Sequence, residues 1–178
     1  MSDFFLQHRK TIVSLISFIV IPLSFFLVFL IMRAGDLNLS GLLSDKSTFS
    51  FTCSWLFLLL AWLNYMLYAI AKRKKIRITT RLFLMDILIL SSFFIPYTEG
   101  NSFLSSLHIT SAYAALVYMN YLFFKTGFYE TGFRDYYFAV SLIAAFHAFT
   151  YGKITGFSEM LYGALVSIML GLVYKKTA

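Results

Sequence analysis

Six stretches of this chain are almost purely apolar, and short polar runs separate them: residues 11–32, 51–71, 82–97, 103–124, 136–152 and 157–174. A helix rises about 1.5 Å per residue, so about 20 apolar residues cross a ~30 Å hydrocarbon core, and fewer suffice where flanking side chains snorkel. The third stretch is the shortest, and Asp86 interrupts it. The pattern predicts an all-α fold: a polytopic membrane helix bundle, one domain of six transmembrane helices. Between the last two stretches stands Gly152-Lys153-Ile154-Thr155-Gly156, a tight turn whose glycines permit positive φ. So short a link makes those two helices antiparallel neighbours. The first stretch is too long for a signal-peptide core and lacks a small-x-small cleavage site, so it is expected as a helix of the mature chain.

Composition agrees. Of 178 residues, 60% are hydrophobic and 13% charged, and the mean hydropathy is +0.77. A soluble domain carries about a quarter charged residues, so lipid is the expected solvent for most of the exterior. The 21 Phe and 12 Tyr suit acyl chains and the membrane interface. Cys53 stands alone and forms no disulfide within the chain.

The placement of the 15 Lys and Arg fixes an orientation under the positive-inside rule. With the N-terminus in the cytoplasm, the inner side receives Arg9, Lys10, Lys72, Arg73, Lys74, Lys75, Arg77, Arg81, Lys125, Arg134, Lys175 and Lys176. The outer side receives Arg33, Lys46 and Lys153. Both termini are then cytoplasmic and the membrane is the cell membrane. The basic excess is accounted for by these loops, and no nucleic-acid partner is implied.

Polar residues within the stretches are the candidates for function, because an ionisable group inside a bilayer costs about 2.5–3.5 kcal/mol on insertion scales. His108, His147 and Glu159 each lie within about 3–8 Å of the outer end of their helix. Glu159 begins a stripe with Gly163, Ser167 and Gly171, a spacing that lets helix backbones approach closely in lipid. His108 shares a face with Ser111, Ala112 and Ala115, and His147 with Ala144 and Ala148. Helices four to six are therefore expected as the tight core. The three ionisable groups either line a small outward-facing pocket, with Lys153 and Glu99 at its rim, or tie helices together. Asp86, near the inner end of its helix and five residues after Arg81, is expected to pair with Arg81 or Lys74 by snorkelling; Asn64 is a neutral polar companion.

Enzyme signatures are absent: there is no His-Glu-x-x-His, no Gly-x-Ser-x-Gly and no phosphate-binding glycine loop. Ser105, Ser106 and Ser158 lie near the level of the histidines, without a spacing that ties them to one. Two His and a Glu drawn from three helices carry no local metal-binding spacing, so neither a metal nor a cofactor is assigned.

The order of features resembles the small bacterial six-helix membrane proteins of unknown function related to the Frag/DRAM/Sfk group. The residues that carry the resemblance are the Leu-Asn-Leu-Ser-Gly-Leu-Leu run at 37–43, Pro96 closing the third helix, His108 opening the fourth with Ala112 and Ala115 following, and Gly156 with Glu159 in the last hairpin. It singles out Pro96, His108 and Glu159, with Ser40 a weaker match; Arg33-Ala34-Gly35 departs from the Arg-Pro-Gly expected after the first helix. What the resemblance implies is a bacterial membrane protein with distant relatives linked to lipid remodelling. Three functional readings stand at this point: a pocket that handles a membrane lipid or other amphipathic small molecule, an accessory or substrate-capturing subunit of a transporter, and a structural or immunity-type membrane protein without a pocket. The sequence names no protein partner.

Overall fold

The computed structural model describes residues 2–31, 39–95, 102–128, 132–151 and 155–177. Among them every regular element is helical. In chain order these are α1 (Ser2–Leu15), a π-helical turn (Ile16–Val20), α2 (Ile21–Ile31), α3 (Leu39–Ser44), α4 (Phe49–Arg73), α5 (Thr79–Phe94), α6 (Ser102–Lys125), α7 (Arg134–Thr150) and α8 (Gly156–Thr177). A helix stands at each of the six apolar stretches, and the short α3 precedes α4, with Leu39 and Leu42 buried.

Three helical segments among the described residues are long and apolar enough to cross a membrane: His8–Ile31, Phe49–Arg73 and Gly156–Thr177. The others fall short for different reasons. At 16 and 17 residues, α5 and α7 reach only about 24–26 Å. Helix α6 has 24 residues, but Ser105, Ser106, His108, Thr110, Ser111 and Asn120 dilute its apolar character.

The chain divides into two compact units, Met1–Asp36 with Phe128–Ala178, and Leu37–Gly127. In the first, α1, the π turn and α2 form one continuous rod, since Leu15 and Ile21 at the joints keep right-handed helical angles. Pro22 explains the turn. It has no N–H to donate and its ring opposes an α-helical path, and Ile21 reaches back five residues to the Ile16 carbonyl instead. Pro22 therefore offers nothing to the Ser17 carbonyl, and Ser167 Oγ of α8 donates to that oxygen at 3.1 Å. The surrounding contact is close: a β-carbon on Gly171 would stand 2.6 Å from Ser17 Cβ, and one on Gly163 would overlap the Phe25 ring.

The partner of the Gly163–Ser167–Gly171 stripe is thus the N-terminal rod. The expectation of a core formed by the last three helices is corrected to that extent, because one helix's periodicity marks its close-packing face without naming what packs there. The expected α7–α8 hairpin is present, the two helices packing along each other. Tyr137 Oη and Tyr162 Oη lie 2.9 Å apart across it, and Phe128 meets the Tyr137 ring edge-on at 5.6 Å.

In the second unit α5 packs along α6, and α3 touches α4 and α5. Helix α4 ends in a Schellman motif: Ile76 N–H bonds the Ala71 carbonyl at 2.9 Å and Lys75 N–H bonds that of Lys72 at 3.2 Å. The motif needs a left-handed residue, and Lys75 supplies it at φ 57°. For a side chain with a β-carbon that conformation costs about 1–2 kcal/mol.

Candidate functional site

His147 lies in the last turn of α7, and Thr155 directly precedes α8. Thr155 caps that helix: its Oγ1 accepts from Ser158 N–H at 3.3 Å, and its carbonyl accepts from Glu159 N–H at 3.1 Å. A threonine cap satisfies one of the helix's orphan donors. The same hydroxyl lies 3.0 Å from His147 Nδ1. Ser158 Oγ lies 3.3 Å from that nitrogen and 3.1 Å from Thr155 Oγ1. Thr155 and Ser158 are both buried, at 5% exposure each.

Two rotatable hydroxyls and one imidazole nitrogen thus form a closed triangle. A hydroxyl both donates and accepts, so Nδ1 keeps a partner whether or not it carries a proton. The imidazole also meets two aromatic rings: the centroids of Tyr151 and Phe157 each lie 4.7 Å from its own, with the planes tilted by 31° and 42°, and Phe157 meets Phe29 of α2 edge-on at 6.3 Å. The result is a polar centre within aromatic walls, with His147 half-buried. Glu159 follows Ser158 in the first turn of α8, where the helix dipole favours a carboxylate.

His108 belongs to the other unit. Its Nδ1 lies 2.7 Å from the Ile95 carbonyl at the end of α5. A carbonyl only accepts, so Nδ1 carries the proton, and the histidine ties the end of α5 to α6. Ser111, one turn on, donates Oγ–H to the His108 carbonyl at 2.9 Å. Glu99, Lys153 and Pro96 lie outside the described residues.

The second unit also holds a polar pair. Asn64 Nδ2 donates to Asp86 Oδ1 at 2.7 Å and to its own helix's Leu60 carbonyl at 3.0 Å. The expected partner of Asp86 was a cation. The hydrogen bond found goes to Asn64 instead, while Arg81 Nη1 turns back to the Arg77 carbonyl at 2.6 Å. Among the described residues, no group of three His, Cys, Asp or Glu side chains is placed to hold a metal ion.

Sequence reasoning placed His147 and Ser158 at one level, but it overlooked Thr155 and the two flanking rings. The signal for Thr155 was present: a threonine before an apolar helical run is a cap. Nothing comparable marks Tyr151 or Phe157, because ring contacts across a turn leave no periodicity. No family model, no curated protein and no solved structure matches this chain.

Proposed function

We propose that this chain is a multi-pass protein of a bacterial cell membrane, with six spans and both termini cytoplasmic, and that its α7–α8 turn handles the polar end of a lipid or other amphipathic molecule. The shorter helices support six spans through their exposed faces. Phe83, Ile87 and Phe94 recur along one side of α5, Phe103, Leu107, Tyr113, Val117 and Phe124 along α6, and Leu142, Phe146 and Phe149 along α7, all exposed. Phe149 is 85% exposed. Apolar stripes of this extent are untenable in water and ordinary against acyl chains.

The observation that carries the lipid reading is the His147–Thr155–Ser158 triangle among Tyr151, Phe157 and Phe29. Amphipathic ligands need a polar anchor beside apolar walls, and this turn supplies both at one end of a membrane-capable helix. His147 serves as hydrogen-bond or acid–base group, because its hydroxyl partners accommodate both of its protonation states. The reading agrees with what the resemblance to the Frag/DRAM/Sfk group implies.

The test is photocrosslinking of the full chain in membranes with a diazirine-bearing lysophospholipid. Labelling concentrated on the peptide spanning residues 147–158, and lost in His147→Phe, is the expected result. Labelling spread evenly over the exposed helix faces, unchanged by that substitution, overturns the proposal.

A further inference from the structure

The α4–α5 turn concentrates charge of one sign. Residues 72–81 carry Lys72, Arg73, Lys74, Lys75, Arg77 and Arg81, and no Asp or Glu occurs between Asp45 and Asp86. Lys72, Lys75 and Arg77 are exposed. Arg81 Nη1 holds the Arg77 carbonyl, which brings a second guanidinium to the turn with no carboxylate between the two.

The backbone of this turn is well defined. The Schellman bonds close the end of α4, Ile76 is half-buried, and Ile78 is 2% exposed. Leu82 N–H then bonds the Ile78 carbonyl at 2.8 Å as α5 starts. Apolar side chains thus anchor the turn while Lys72, Lys75 and Arg77 stay at its surface. Lys75 occupies the one left-handed position, where glycine would fit without strain. Among the described residues it is the one non-glycine at positive φ. A strained residue that persists points to a use for its side chain, and here the side chain is a cation.

We propose that this turn is a binding site for the phosphate of an anionic phospholipid headgroup in the adjacent leaflet. The cations begin at the last residues of α4, a helix long and apolar enough to span, and therefore lie at the depth of the lipid phosphates. Basic clusters so placed attract anionic lipid by about fivefold in affinity per cation. The inference stands on α4 as a span and does not depend on the His147 site.

The experiment titrates the detergent-solubilised full chain with short-chain phosphatidylglycerol, short-chain phosphatidylcholine, inorganic phosphate and a glutamate-rich peptide. Phosphatidylglycerol should bind about 25-fold more tightly than the other three, two cations' worth at about fivefold each. Arg77→Gln should weaken it about fivefold with the Tm unchanged. The decisive variant is Lys75→Gly, which removes both cation and strain: the Tm should rise about 2–8 °C while affinity falls about fivefold. Phosphatidylcholine binding as tightly, or both variants retaining full affinity, overturns the proposal. Inorganic phosphate matching the lipid means a simple anion site, and a tighter acidic peptide means a protein partner; either also overturns it.

Discussion

The ring of Phe25 occupies the space where a β-carbon on Gly163 would stand, and Phe25 is itself 9% exposed. The ring therefore has little room to retreat. Gly163→Ala should destabilise the first unit by about 1–3 kcal/mol, the usual range for overpacking, read as a lower unfolding midpoint in detergent. Combining it with Phe25→Leu should recover part of the loss. Additive losses in the double variant would mean that the two positions do not share one contact.

The Ser17–Ser167 contact carries a second expectation. Ser167 supplies the donor for a carbonyl that Pro22 leaves without one, so Ser167→Ala should cost about 0.6 kcal/mol, the mean for such ties in membrane helices, and no more than about 1.7 kcal/mol. The Ser17 hydroxyl is different: it is fully buried and has no hydrogen-bond partner among the described residues. Ser17→Ala removes an unsatisfied group without changing the shape of the contact with Gly171, and it should be neutral or stabilising. Thermal unfolding of the two single variants separates them, and equal losses would mean that the two hydroxyls play the same part.

How far the sequence led, and where it stopped, shows at these helices. The apolar stretches located every long helix, and the five-residue link made α7 and α8 neighbours. Pairing across helices was not legible, because the partner of Gly163 lies nearly the whole chain away. Asp86 shows a nearer error. Five residues on a helix turn about 140° past a full circle, so Arg81 and Asp86 do not share a face as residues three or four apart would. Asn64, on another helix, fills the place.

That pair yields a third prediction. A carboxylate oxygen bonded by an amide loses about 1.5–3 kcal/mol when the donor is removed, as for other hydrogen bonds to charged groups. Asn64→Leu should therefore destabilise the second unit by that order, and Asp86→Asn should do less harm than Asp86→Leu. In a double-mutant cycle Asn64→Leu with Asp86→Leu should show a coupling of at least about 0.5 kcal/mol. No coupling would mean that the two side chains do not depend on each other.

Topology can be checked with the chain's own chemistry. Cys53 is the lone cysteine, so Cys53→Ala gives a background for single cysteines placed at Lys46, Lys75, Glu99, Lys153 and Lys176. With six spans and cytoplasmic termini, a membrane-impermeant maleimide should label positions 46, 99 and 153 from outside in intact cells, and positions 75 and 176 only after lysis. Labelling of 75 from outside, or of 153 only after lysis, would remove the six-span arrangement.

The last prediction separates the fold of the α7–α8 turn from its use. Thr155 has two tasks, capping α8 and meeting His147. Thr155→Ala loses both and should cost about 1 kcal/mol through the cap alone, whereas Thr155→Ser keeps a hydroxyl for each and should restore the unfolding midpoint. His147 makes no bond to the cap's backbone, so its contribution to the fold is mainly its contact with the Tyr151 and Phe157 rings, where aromatic pairs give about 0.5–1.5 kcal/mol beyond burial. His147→Ala forfeits those ring contacts and the polar centre together. His147→Phe keeps a ring beside them and removes both imidazole nitrogens. If the turn served the fold and nothing more, His147→Phe would be nearly as stable as the parent and would crosslink lipid equally well. If the imidazole anchors an amphipathic molecule, the phenylalanine variant folds, unfolds within a few degrees of the parent, and loses the crosslink.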